Sequence, residues 1–487
     1  MKRFSIGRRV LALGAIGAVT MSMLVARSAA EPGTPGAGGP AVAHRSGGVA
    51  ADPGAIPVPS PRIFDTGVVG VEPTFGIGRD GVLYVHAWEA GDVRRSLDGA
   101  LTWTDVSPKV QGKRVHQWTQ DPYLYVDERT GRVFANDLVQ PCQQTSFSDD
   151  GGLTWTTSVG SCDQQDHQTI FAGPPTISEP IGYPNVVYNC AINGGALANF
   201  STVTSCDKSL DGALTFVPTG AMPYMTAEAP RDAPGTFAIP GLCDGATGHG
   251  FVGPDGTVYL PRGWCGQPWL ALSRDEGLTW TRVQVASNGM QRGSNGSPEH
   301  EASVVADADG NVYYMWVAED RLPYLSISRD RGVSFGTPMM IAPPGLDEAG
   351  LPSMAIGATG KIAMTYMGTT TSPGPPYPSA ATCRPIVGCG SVSYSAVKWN
   401  NYITQTADAL ATEPLFFTAS MNDPTDPLVK GVCGPVRCAA EYDFIDVNIA
   451  PDGTAWSVFL DACPKVGACA EEGQQFVGHL VGGPSLR

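Results

Sequence analysis

One octapeptide recurs five times along the chain, and it calls for tight turns between strands at regular intervals. The copies are Ser96-Leu97-Asp98-Gly99-Ala100-Leu101-Thr102-Trp103, Ser148 to Trp155 (SDDGGLTW), Ser209 to Phe216 (SLDGALTF), Ser273 to Trp280 (SRDEGLTW) and Ser328 to Phe335 (SRDRGVSF). Their starts are 52, 61, 64 and 55 residues apart. The Asp carboxylate accepts hydrogen bonds from turn N–H groups, the small residue two positions on permits chain reversal, and the final aromatic anchors the next strand in a core.

Upstream of each copy stands a short strand pattern, an Asp/Gly turn and an aromatic-rich strand. These begin at Glu72-Pro73-Thr74-Phe75, Asp121-Pro122-Tyr123-Leu124, Asp166-His167-Gln168-Thr169, Gly248-His249-Gly250-Phe251 and Glu299-His300-Glu301-Ala302. Gly350-Leu351-Pro352-Ser353 and Glu441-Tyr442-Asp443-Phe444 open two more units without an octapeptide. Seven units of about 60 residues, each long enough for four strands, describe an all-β propeller. The last unit is a strand short, and Ile63 to Val69 is expected to supply it and close the ring. At the octapeptides the chain resembles the Asp-box, or bacterial neuraminidase repeat, of sialidases and related β-propellers, although Ala100 and Ala213 stand where Gly is usual. That resemblance implies the same scaffold, with the six blades of true sialidases as the alternative to seven, and places the boxes on outer turns away from the active site.

Composition agrees with a strand-and-turn protein. There are 60 glycines and 41 prolines in 487 residues, and charged residues are only 16 %, which excludes coiled coils and charged disordered chains. A net charge of −15 argues against nucleic acid and anionic membranes as partners. Basic residues at Lys2, Arg3, Arg8 and Arg9, an apolar run from Val10 to Val25 and Ser28-Ala29-Ala30 read as a signal peptide over residues 1–30, so the protein is expected to be secreted and, lacking a later apolar span, not membrane-embedded. Residues 31–61, rich in Pro, Gly and Ala, read as a flexible linker, and 62–487 as a single propeller domain acting as a monomer. The twelve cysteines fall as neighbours: Cys142 and Cys162, Cys190 and Cys206, Cys243 and Cys265, Cys383 and Cys389, Cys433 and Cys438, Cys463 and Cys469. In an exported chain, closest pairing gives six local disulfides.

The unit openings carry the candidate chemistry, because the first strand of a blade lines the central channel. Glu72, Asp121, Asp166 with His167, His249, Glu299 with His300 and Glu301, and Glu441 with Tyr442 make six of seven openings ionisable or polar. Crowded carboxylates raise one another's pKa, as a glycosidase acid requires. Glu299, Glu301 and Asp166 are therefore candidate catalytic residues, and the sialidase resemblance adds Tyr442 as a nucleophile beside Glu441. The same resemblance requires three arginines for a substrate carboxylate. Arg62, in a Pro61-Arg62-Ile63-Phe64 segment that keeps the Arg-Ile of the family motif, with Arg262 and Arg292, are the candidates, and His249 and His300 join them as substrate-binding residues. Two metal readings stand beside this: Ca²⁺ held by the carboxylates, or a transition metal on His167, His249 and His300. No Gly-rich phosphate loop precedes a helix. The leading expectation is a hydrolase of extracellular glycans, an exo-sialidase in its most concrete form. The alternative is a non-catalytic propeller that binds protein or polysaccharide at the cell surface.

Overall fold

The computed structural model describes residues 35–87, 92–115, 119, 121–139, 142–160, 162, 165–193, 203–225, 247–291, 301–371, 397–430, 444–463 and 473–487. Among the described residues, seven antiparallel sheets are arranged as the blades of a propeller, Lys109–Val110 and Lys113–Arg114 form a separate two-stranded pair, and Ser46–Gly48 is the one helical turn. Blade 1 runs from Thr74 to Asp105, blade 2 from Pro122 to Val159, blade 3 from Gln165 to Pro218, blade 4 from Phe251 to Gln284 and blade 5 from Ser303 to Met340. Blade 6 starts with Glu348–Ile356 and blade 7 with Asp446–Ile449. Ser60–Gly70 is the fourth strand of blade 7, pairing Phe64 with Val477 and Arg62 with His479, so strands from the two ends of the chain close the ring. Seven blades rather than six follow.

The segment expected to be a flexible linker is partly structured. Gly36–Ala37 pairs with Ser60–Gly70, and Val42–Arg45 pairs with Phe416–Ser420 at the edge of blade 6. An outer strand leaves a row of N–H and C=O groups open, and this segment covers two such edges. His44 is fully buried there, stacked on Phe416 at 5.6 Å and hydrogen-bonded to Thr418 Oγ1 at 2.8 Å.

Each octapeptide folds the same way between the third and fourth strands of its blade. In blade 2, Ser148 Oγ donates to Asp150 Oδ1 at 2.8 Å and accepts from Gly152 N at 2.8 Å. Thr154 gives its N–H to Asp150 Oδ1 at 2.8 Å and its hydroxyl to Oδ2 at 2.6 Å. The fifth position is left-handed in every copy, with φ of 72° at Ala100 and 78° at Ala213 beside 85° at Gly152, so both alanines accept a conformation that glycine adopts without strain. The closing aromatics reach the preceding blade: Trp155 Nε1 donates to Val106 O at 2.7 Å and Trp280 Nε1 to Ala221 O at 3.0 Å. The octapeptide is thus a staple between blades as well as within one.

Cys142–Cys162 and Cys190–Cys206 form the expected local disulfides, and Cys265 and Cys463 are also disulfide-bonded. Cys243, Cys383, Cys389, Cys433, Cys438 and Cys469 lie outside the described residues. Among the described residues no helix is long and apolar enough to cross a membrane.

Asp150→Ala removes three hydrogen bonds to a charged acceptor, and is expected to cost about 1–3 kcal/mol in urea unfolding. Leu153→Ala, at an exposed position of the same turn, is expected to be close to neutral.

Candidate functional site

The first strands converge on the propeller axis, and one residue from each forms a continuous polar belt: Thr74, Tyr123, Thr169, His249, Ser303, Ser353 and Asp446. A side chain of one blade meets the next at nearly every joint. Thr74 Oγ1 accepts from Leu124 N at 2.9 Å, Thr169 Oγ1 from Gly250 N at 3.1 Å, Ser303 Oγ from Met354 N at 3.1 Å and Asp446 Oδ2 from Phe75 N at 3.2 Å. Thr169 Oγ1 donates to Tyr123 Oη at 3.2 Å and Ser353 Oγ to Asp446 Oδ1 at 3.0 Å. A parallel backbone bridge between His249 and Ser303 completes the circle. First strands splay apart around a propeller and leave N–H groups that no neighbouring strand satisfies; short polar side chains at this register satisfy them.

Two residues before the belt, toward the mouth where the first strands begin, lie Glu72, Asp121, His167, Glu301, Leu351 and Phe444. Here the candidate chemistry gathers. The Glu301 carboxylate sits between two imidazoles, with Oε1 hydrogen-bonded to His167 Nδ1 and Oε2 at 3.6 Å from His249 Nε2. The backbone N–H of His167 donates to Asp121 Oδ2 at 3.2 Å, so two carboxylates converge on one histidine. His249 Nδ1 is 2.9 Å from Tyr123 Oη, and Phe444 presents its ring edge-on to both rings. Behind this mouth, His86 Nε2 pairs with Asp137 Oδ1 at 2.9 Å.

Backbone strain marks the same positions. Glu72, His167 and Leu351 have φ of 52°, 49° and 53°, and strand register shifts between Asp166 and Thr169 and between Gly350 and Ser353. Left-handed non-glycine residues at bulges re-aim side chains and recur at functional sites.

Glu72, Asp121 and Glu301 are each no more than 5 % exposed, so the mouth is largely dry. Burial lowers His249 to about 4, which keeps its imidazole neutral, and pushes the Tyr123 hydroxyl well above its ordinary value. The Asp446 carboxyl is raised by burial to about 7. A carboxylate held by one imidazole and faced by a second, neutral one can take up and release a proton without bulk water.

Of the candidates drawn from sequence, Glu301 and His249 come together at this mouth. Asp166 lies one residue before His167, its backbone paired with Ile192, and it is His167 that reaches Glu301. Glu299, His300, Arg292 and Tyr442 lie outside the described residues. Two arginine expectations need correction. Arg62 is exposed on the fourth strand of blade 7, three strands out from the axis and paired beyond with Ala37. Arg262 is fully buried in the second strand of blade 4, donating to Thr204 Oγ1 at 2.8 Å with its guanidinium 5.5 Å from the Tyr224 ring centre. Among the described residues, no three His, Cys, Asp or Glu side chains are placed to share a metal ion. Asp307-Ala308-Asp309-Gly310 is the first hairpin turn of blade 5, with Asp307 accepting from Asp309 N and Asn311 N at 3.0 Å each.

Asp121 was named from sequence only as an ionisable unit opening, and Tyr123 and Asp446 were not singled out as site residues. Their signal was the repeat itself: each stands at a fixed offset in its unit, once blade 5 is read from Glu301-Ala302-Ser303 and blade 7 from Phe444-Ile445-Asp446.

No protein-family model matches the chain, and no curated protein matches it. Its likenesses are to solved propellers. An α-L-arabinanase of Penicillium chrysogenum complexed with arabinobiose is 14 % identical over 68 % of this chain and 94 % of its own, with a TM-score of 0.37. An α-L-arabinofuranosidase of Fusarium graminearum is 14 % identical over 78 % of this chain and 97 % of its own, at 0.38. The BP39L lectin of Burkholderia pseudomallei is 10 % identical over 82 % and 94 %, at 0.45. No residue role or activity is carried across from them.

The buried groups fix how stability responds to acid. His44, His249 and His479 are each lowered by burial to about 4, so the unfolded chain binds more protons between about pH 6.5 and 4, and stability falls as pH drops through that window. Asp446, raised to about 7, acts in the opposite sense between about pH 4 and 7. The urea midpoint is expected to fall from about pH 7 to 4.5, and to fall more steeply in Asp446→Asn, which lacks the opposing contribution.

Proposed function

We propose that this protein is an exported glycan hydrolase of the sialidase-like propeller superfamily, working as a monomer through the mouth at which the first strands begin. The observation that carries the reading is the Glu301 carboxylate held between His167 and His249. Glycoside hydrolysis uses one carboxyl group to protonate the leaving oxygen and a second to activate water or attack the sugar. Glu301 and Asp121, both bonded to His167, are the pair we assign to that work, with Glu301 exchanging the proton and the two imidazoles setting its charge. The superfamily reading is supported by the five octapeptide turns with their shared hydrogen-bond pattern. Export is supported by the sequence of residues 1–30 and by disulfides, which persist in oxidising compartments.

An exo-sialidase would need a cluster of arginines for the substrate carboxylate. Arg62 and Arg262 are placed elsewhere, which leaves Arg292 alone of the three, so a neutral glycan is the better substrate class. A second reading, a non-catalytic glycan binder, is favoured by the small exposure of the mouth carboxylates.

A screen of neutral oligosaccharides and chromogenic glycosides, with sialosides included, separates the readings. Wild type is expected to hydrolyse at least one neutral substrate, with kcat reduced about 100-fold or more in Glu301→Gln. Equal rates in both proteins would remove Glu301 from the mechanism, and binding without turnover would favour the binder.

A further inference from the structure

The channel has a second opening on the opposite face, below the polar belt, where the first and second strands of each blade are joined. There a cavity of about 510 Å³ opens on the axis, within the range of small-ligand sites. One wall holds three aromatics from neighbouring first strands, the partly buried Tyr125 of blade 2 and Phe251 of blade 4 with the buried Phe171 of blade 3 between them. They are held in place. Tyr125 Oη donates to Ala172 O at 3.2 Å, Phe171 stacks on Tyr188 at 5.6 Å, and a Cβ at Gly250 would lie 2.2 Å from the Phe171 ring, so the backbone of blade 4 closes directly over it.

The rim is polar and of mixed sign. Arg487 reaches across the opening, its guanidinium donating to Ile449 O of blade 7 at 3.0 Å and to Glu128 Oε1 of blade 2 at 2.7 Å. Arg129 Nη1 donates to Asn185 Oδ1 at 3.1 Å. Leu486 is fully buried, with its N–H on Gly453 O and its carbonyl accepting from Ala358 N at 2.8 Å, so the segment bearing Arg487 is anchored to blades 6 and 7.

We propose that this lower cavity, whose inner end reaches Tyr123, His249 and Asp446 of the belt, is a binding site for a neutral saccharide that enters from the face opposite the Glu301 mouth. A sugar ring presents apolar C–H faces that pack on aromatic rings, and hydroxyls that both donate and accept. The aromatic wall offers the first surface, and Glu128, Arg129 and Arg487 offer acceptors and donors side by side. A ligand carrying one net charge would meet a like charge on this rim, and a wholly apolar ligand would bury the rim groups without replacing their hydrogen bonds to water. Arg487 acts as the latch, exchanging Glu128 for a hydroxyl when a sugar enters.

The test is calorimetric titration of the Glu301→Gln protein, which holds substrate without turnover, with neutral arabino-, xylo-, manno-, cello- and malto-oligosaccharides. At least one is expected to bind, with affinity reduced tenfold or more when Phe251→Ala or Arg487→Ala is added. Arg487→Ala alters an exposed rim residue and keeps the test informative if Phe251→Ala fails to fold. Phe251→Ala in an otherwise wild-type chain is expected to leave kcat on a small aryl glycoside within twofold. No saccharide binding, or binding equal in Glu301→Gln with and without Arg487→Ala and Phe251→Ala, would overturn the proposal. Rim-dependent binding in a protein that hydrolyses nothing would sustain this site while removing the hydrolase reading.

Discussion

Seven blades meet at the axis through a belt of single side chains, and the rest of the molecule depends on it. A four-stranded antiparallel sheet satisfies its own backbone groups except along its edges, and a propeller turns one edge of every blade toward the axis. Thr74, Thr169, Ser303 and Asp446 each accept a backbone N–H of the next blade, and Tyr123, His249 and Ser353 complete the circle. The belt also stands between two environments, and its Tyr123, His249 and Asp446 line the inner end of the lower one. On one side stands a nearly dry cluster of carboxylates and imidazoles, and on the other an aromatic cavity with a charged rim. The octapeptide turns perform the complementary task at the periphery, where Trp155 and Trp280 bond to the preceding blade.

Placing ionisable groups at such a junction has consequences for chemistry. Burial disfavours the charged form of either group, so the imidazole of His249 loses proton affinity while the Asp446 carboxyl gains it. Two groups of the same belt, on blades 4 and 7, are thereby driven in opposite directions. The strained backbone at His167 and Leu351 belongs to the same arrangement, because a left-handed residue at a bulge turns a side chain that ordinary strand alternation would point elsewhere.

Much of the scaffold was legible in the sequence. The repeated unit openings gave the number of units, a missing last strand pointed to the Ile63–Val69 segment, and the order of cysteines gave the Cys142–Cys162 and Cys190–Cys206 pairs. The site was legible only in part. Glu301 and His249 stood at unit openings and do meet, but Ser303 and Asp446, not the residues that open their units, set the register of blades 5 and 7. A repeat fixes positions to within a residue or two, and in a strand one residue exchanges the channel for the blade interior. Arg62 shows the other limit: its local motif says nothing of the strand's rank in the blade, and Ser60–Gly70 is the fourth strand out from the axis. The short strands within residues 36–50 were hidden for a related reason, since a segment that covers an edge needs backbone groups more than any side-chain pattern.

The assignment of glycan chemistry to the upper mouth is tested most directly by a crystal structure of Glu301→Gln soaked with an oligosaccharide that the wild type cleaves. The glycosidic oxygen is predicted to lie within hydrogen-bond distance of the residue 301 side chain, with Asp121 on the same sugar. Sugar density confined to the lower cavity, with the mouth between His167 and His249 closed, would contradict it.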